Sequence, residues 1–88
     1  MTTGPDLLFE KKVTKYNYIQ VFRNRVVYSE GTFFAKETTV LIRSITAVTL
    51  DGPAKFLKIT TQDGQVHKPK FAAGTIAVEA QNAILSVL

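Results

Sequence analysis

With 88 residues the chain is long enough for one domain and too short for two, since a core of its own needs about 50 residues or more. A hydrophobic fraction of 45% against 20% charged residues excludes the polar, highly charged class of chains that stay unfolded. The absence of cysteine removes disulfides, thiolate nucleophiles and Cys-based zinc sites, and the formal charge of +4 is spread along the chain rather than gathered in one run as in dedicated nucleic-acid binders.

Residues 1–12 are polar, carry Gly4 and Pro5, and are expected to be a flexible N-terminal segment, with Leu7, Leu8 and Phe9 able to dock onto a single domain over residues 13–88, and with a first strand near Leu8 to Lys15 left open. This start lacks the long apolar core of a signal peptide, and no apolar run reaches the roughly 18 residues of a membrane span. The expectation is a cytoplasmic protein in a reducing compartment.

From Val13 to Phe71 the segments are short, rich in Val, Ile, Thr, Tyr and Phe, and separated by Gly or Asn, which is how antiparallel strands are written. Tyr16 to Phe22 alternates around Ile19 and Val21, and Arg23-Asn24-Arg25 breaks the run before Val26, Val27 and Tyr28, so a hairpin is predicted there. Glu30-Gly31 supplies the next turn, and Thr32 to Lys36 reads as another short strand. Thr38 to Leu50 is longer. Within it Ile42, Ile45 and Val48 recur every three residues, a spacing that a flat strand of period two cannot place on one face. A bend or bulge near Arg43-Ser44 reconciles them, and lets one strand serve two sheets or wrap a barrel.

Asp51-Gly52-Pro53 ends that strand, since proline cannot donate to a ladder. In the hairpin from Lys55 to Phe71, a two-residue loop would set Ile59 opposite Lys68 and mix core with solvent. A three-residue loop, Gln62-Asp63-Gly64, sets Ile59 opposite His67 and Leu57 opposite Pro69, with Gly64 in the left-handed position. One face then carries Leu57, Ile59 and Phe71, and the other Phe56, Lys58, Lys68 and Lys70.

After Phe71 the pattern becomes helical. Thr75 is the predicted N-cap, and Ile76, Ala80, Ala83, Ile84, Val87 and Leu88 share the side expected to lie on a sheet. Val78 and Leu85 fall on the opposite side, beside Gln81 and Asn82, and form a candidate oligomer interface. The fold class is therefore α+β and mainly β: a small antiparallel barrel or two packed sheets of six to seven strands, closed by one C-terminal helix.

The segments Arg25-Val-Val-Tyr-Ser-Glu-Gly, Thr39-Val-Leu-Ile-Arg-Ser-Ile-Thr-Ala-Val and Phe56-Leu-Lys-Ile-Thr-Thr-Gln-Asp-Gly, with the strand-rich order and terminal helix, carry a family likeness. The chain resembles the small bacterial pleckstrin-homology-like (PH-like) domains over residues 16–88, through Ile42, Ile45, Val48, Leu57, Ile59 and Gly64. That resemblance implies a binding or assembly module that forms homo-oligomers, and it brings no catalytic residues. It points to a small protein of bacterial or phage type.

For chemistry, His67 is the one histidine, and its place beside Ile59 favours a half-buried structural side chain over a base or ligand. Ser29, Ser44 and Ser86 sit in no nucleophile motif, and the carboxylates show no metal-ligand spacing. The reading is of no enzyme, cofactor or metal. Lys58, Lys68 and Lys70 with Phe56 are a candidate anion-binding face, unless they merely solubilise the sheet, and Arg23 with Arg25 form a second basic pair at a hairpin tip. Tyr16, Tyr18, Phe22, Phe33 and Phe34 are either core filling or a stacking platform for single-stranded nucleic acid, core filling being the simpler use. The expected function is a non-enzymatic module that self-associates and binds a protein partner; the alternative is binding of nucleic acid or an anionic membrane surface. No small-molecule substrate is indicated.

Overall fold

The computed structural model describes residues 7–88, and among them seven strands and one α-helix. Strands β1 (Leu7–Lys12), β2 (Tyr18–Phe22), β3 (Arg25–Glu30) and β4 (Lys36–Leu41) form one antiparallel sheet in that order. A single 3-10 turn at Ile42–Ser44 redirects the chain into β5 (Ile45–Asp51), which pairs with β6 (Phe56–Thr61) and then the short β7 (Val66–His67) in a second sheet. The helix α1 (Thr75–Leu85) packs across β1, β2, β5 and β6. These are two sheets over one core, and they do not close into a barrel.

Alternation explains the first sheet. Ile19 faces Tyr28 and Val21 faces Val26, so the apolar sets of β2 and β3 fall together on the core side, where Ile19, Val21 and Val26 are fully buried. The bend expected near Arg43-Ser44 is the 3-10 turn itself, followed by a register shift between Ile45 and Ala47. Its result is that Ile42, Ile45 and Val48 are all buried. The three-residue period is thus the signature of one run of chain serving two sheets.

In the second sheet Ile59 pairs with His67 across the three-residue loop Gln62-Asp63-Gly64, with Gly64 at a φ of 85°. The further pairing of Leu57 with Pro69 does not form. That position calls for an N–H at residue 69, which proline lacks. The chain instead leaves the ladder, buries Pro69, and returns so that the Leu57 N–H donates to the Ala72 carbonyl at 2.8 Å.

Three expectations are corrected at the edges of elements. Leu7–Lys12, placed in a flexible segment, is a strand paired with β2, while residues 1–6 lie outside the described residues. Thr32 to Lys36 is not a strand: Gly31 to Ala35 is a loop, and β4 begins at Lys36. The helix cap is Gly74, at φ 60°, not Thr75, which is the first helical residue.

On the helix the buried row is Ala77, Ala80 and Ile84, with Ile76, Ala83 and Val87 partly buried against the core. Two alanines in that row let the helix axis approach both sheets closely. Leu88, assigned to the core side, is exposed, and the Gln81 amide donates to the Val48 carbonyl at 3.0 Å. No helix of the described residues is long and apolar enough to cross a membrane.

Candidate binding surface

The end of the first sheet that holds the β1–β2 and β3–β4 connections is built as one body. The Asn17 side chain donates to the Gly31 carbonyl at 3.0 Å and to Thr14 Oγ1 at 2.8 Å, and accepts from the Gly31 N–H at 3.2 Å. Buried Ser29 completes the clamp, donating to the Tyr16 carbonyl at 2.8 Å and accepting from the Lys36 N–H at 3.1 Å. At Gly31 the chain passes so close to the Phe34 carbonyl that a Cβ would lie 1.9 Å from its oxygen. Only glycine fits that approach.

This rigid loop presents Phe33 and Phe34, which are 85% and 69% exposed. Core filling is therefore not the role of these two aromatics. Lys36 starts the adjoining strand, the Lys15 ammonium lies 5.5 Å from the Tyr16 ring, and the Lys70 N–H donates to the Glu30 carboxylate at 2.9 Å. Lys70 and Gly31 share one shallow hollow, and Lys12, Lys15, Tyr16 and Ala35 share the next. The Tyr18 hydroxyl, hydrogen-bonded to Glu37, is pushed above its ordinary pKa by that carboxylate.

The candidate basic face is brought together only in part. Phe56, Lys68 and Lys70 line a hollow of about 280 Å³. Lys68 is paired with Asp51 and holds that carboxyl below its usual range, chiefly by hydrogen bonding, with a smaller attraction from Lys58. Arg25 stacks 4.0 Å from the centre of the Phe22 ring and donates to Asn24 Oδ1 at 3.0 Å. Arg23 stands in the same turn. Arg25 begins β3 and Glu30 ends it, so the arginine end and the Lys70 end lie about 17 Å apart, five strand residues at about 3.4 Å each. Phe22 lies at the arginine end and Phe33 at the other, so the five aromatics do not make one stacking platform.

His67 is half-buried beside Ile59, with Nδ1 2.8 Å from the Tyr28 hydroxyl and the two rings edge to face at 5.8 Å. Burial raises the Tyr28 phenol above its ordinary pKa. The pair joins β3 to β7 across the core, a contact over 39 positions of sequence that no local pattern announces. Leu85 is 49% exposed, whereas Val78 is half-buried. Among the described residues no three His, Cys, Asp or Glu side chains gather in a metal-ligating group. Comparison of the chain with protein-family models, curated proteins and solved structures finds no match.

Proposed function

We propose that this chain is a non-enzymatic binding and assembly module of PH-like architecture, self-associating and engaging a protein partner. The observation that carries it is the pair Phe33 and Phe34, held in the open by a loop that Asn17, Ser29 and Gly31 make rigid. Rigid exposed aromatics lose little entropy on docking and supply the anchors of protein interfaces. Leu85 and Leu88, exposed at the end of the helix, give a second apolar outlet suited to association between copies. The order of four strands, three strands and a terminal helix supports the family reading, and the cysteine-free composition supports a cytoplasmic setting.

Light scattering at tens of micromolar tests the assembly. A mass above the monomer that falls with Phe33→Ser/Phe34→Ser or with Leu85→Glu is expected, and a strict monomer overturns self-association. A second reading, an anionic lipid surface or nucleic acid, draws on Lys12, Lys15, Lys36 and Lys70 around the same tip. Binding made by phosphate contacts weakens steeply with salt. Retention on phosphatidylserine vesicles or mixed oligonucleotides that vanishes with added salt selects that reading, and no retention at low salt removes it.

A further inference from the structure

Among the described residues, the outer edge of β4 has no strand partner. Its inner edge pairs with β3 from Leu41↔Arg25 to Lys36↔Glu30 without a register shift, and beyond it the Ile42 N–H donates to the Asn24 carbonyl at 3.0 Å. Backbone groups alternate sides along an antiparallel strand, so those of residues 36, 38, 40 and 42 point to β3 and those of Glu37, Thr39 and Leu41 point outward. The Leu41 carbonyl agrees, since Ser44 Oγ reaches it from the open side at 2.7 Å. The two edges of this sheet also differ in charge. β1 ends in the three charges Glu10, Lys11 and Lys12, which discourage pairing, whereas β4 has Lys36 and Glu37 at its start and then the uncharged run Thr38-Thr39-Val40-Leu41.

The open edge forms one wall of a groove of about 420 Å³, and the β6–β7 hairpin forms the other, with Thr61, Gln62, Gln65 and His67 facing Thr39 and Leu41. The groove runs along Thr38 to Leu41, about 10 Å of extended chain, with Val40 and Leu41 among otherwise hydroxyl- and amide-bearing side chains. Because the β6–β7 hairpin stands across from the edge, a second copy pairing β4 with β4 would bring its own hairpin into the same space, whereas an isolated extended segment brings none. The one carboxylate, Asp63, is already engaged by the Thr61 hydroxyl and by the Gln65 N–H at 3.2 Å.

We infer that β4 is a docking strand which accepts a single extended, uncharged, proline-free segment of a partner protein as the fifth strand of the first sheet. The segment hydrogen-bonds to the outward backbone of Glu37 and Thr39, and its alternate side chains lie against the Thr and Gln lining, the mode known as strand addition. This deepens the protein-partner reading proposed above and rests on it. It also singles out Thr39: proline there removes an outward N–H and no bond to β3, whereas proline at Thr38 or Val40 would break the sheet.

The test is selection of a phage-displayed library of random dodecapeptides on the intact protein, followed by binding of the enriched peptides to Thr39→Pro. The expected result is a loss of about tenfold or more on that variant, one hydrogen bond's worth or above, with its circular dichroism unchanged. In the parent the Glu37, Thr39 and Leu41 amides should gain protection from hydrogen exchange when peptide binds. Enriched peptides that bind Thr39→Pro equally well, or that protect only the Gly31–Ala35 loop, overturn the β4 site and leave the module reading standing. An absence of any enriched peptide overturns strand addition, while the light-scattering measurement reads assembly independently. Should Thr39→Pro unfold, the exchange pattern in the parent decides alone, and unprotected residues 37, 39 and 41 overturn the proposal.

Discussion

Replacing Ile84 by alanine tests the claim that the terminal helix seals both sheets. Ile84 is fully buried in the shared core, one helical face away from Leu85, which is 49% exposed. Cutting a buried isoleucine to alanine costs about 2–5 kcal/mol, because transfer energy is lost and a cavity is left. Stabilities of about 0.05–0.15 kcal/mol per residue give a chain of this length roughly 4–13 kcal/mol in all, so about 3 kcal/mol is a large share. At about 4–8 °C per kcal/mol for a domain of this size, the Ile84→Ala melting temperature should fall by about 12–24 °C. Leu85→Ala, equal in chemistry and nearly neutral in helix propensity, should cost under about 0.5 kcal/mol. Calorimetry at a concentration too low for self-association compares the two. Equal losses, or a larger loss at Leu85, would refute the packing described for the helix.

Two further outcomes follow from the loops. In the folded protein Lys68 holds Asp51 below its usual 3.8, so the pair adds stability above that pH, and this is lost as pH falls through the depressed folded value. Lys68→Met should therefore be less stable than the parent near neutrality, with the difference closing in acid; urea midpoints across pH measure it, and a gap that persists in strong acid speaks against the pair. Gly31→Ala forces a Cβ against the Phe34 carbonyl and should cost about 1–3 kcal/mol while displacing the aromatic tip, so both melting temperature and association should drop. An unchanged melting temperature would show that the loop is not clamped.

The elements legible in the sequence were those whose evidence is local. Ile42, Ile45 and Val48 announced a bend because three-residue spacing is incompatible with a straight strand, and the bend is there. The hairpin register was legible because only one loop length kept Ile59 away from lysine. Strand β1 was not, since Leu7 and Phe9 are followed by Glu10-Lys11-Lys12, and its extension depends on β2 beside it and the helix against it. Phe33 and Phe34 misled for a related reason. Aromatics beside Thr have high strand propensity, but the close passage of Gly31 by the Phe34 carbonyl makes a loop of them, and that contact is tertiary.

The link between β3 and β7 connects this frame to the proposed groove. His67 lines the groove's far wall, while Tyr28, its hydrogen-bond partner, sits on β3 directly opposite Thr38 of β4. The Tyr28–His67 bond therefore fixes how far the hairpin stands from the open edge. The contact crosses from β3, the strand behind the open edge, to β7, the hairpin strand that walls the groove, so it ties the two walls to one another. A docking strand gains from such a wall, since a slot held ready for a partner spends none of the binding energy on being opened.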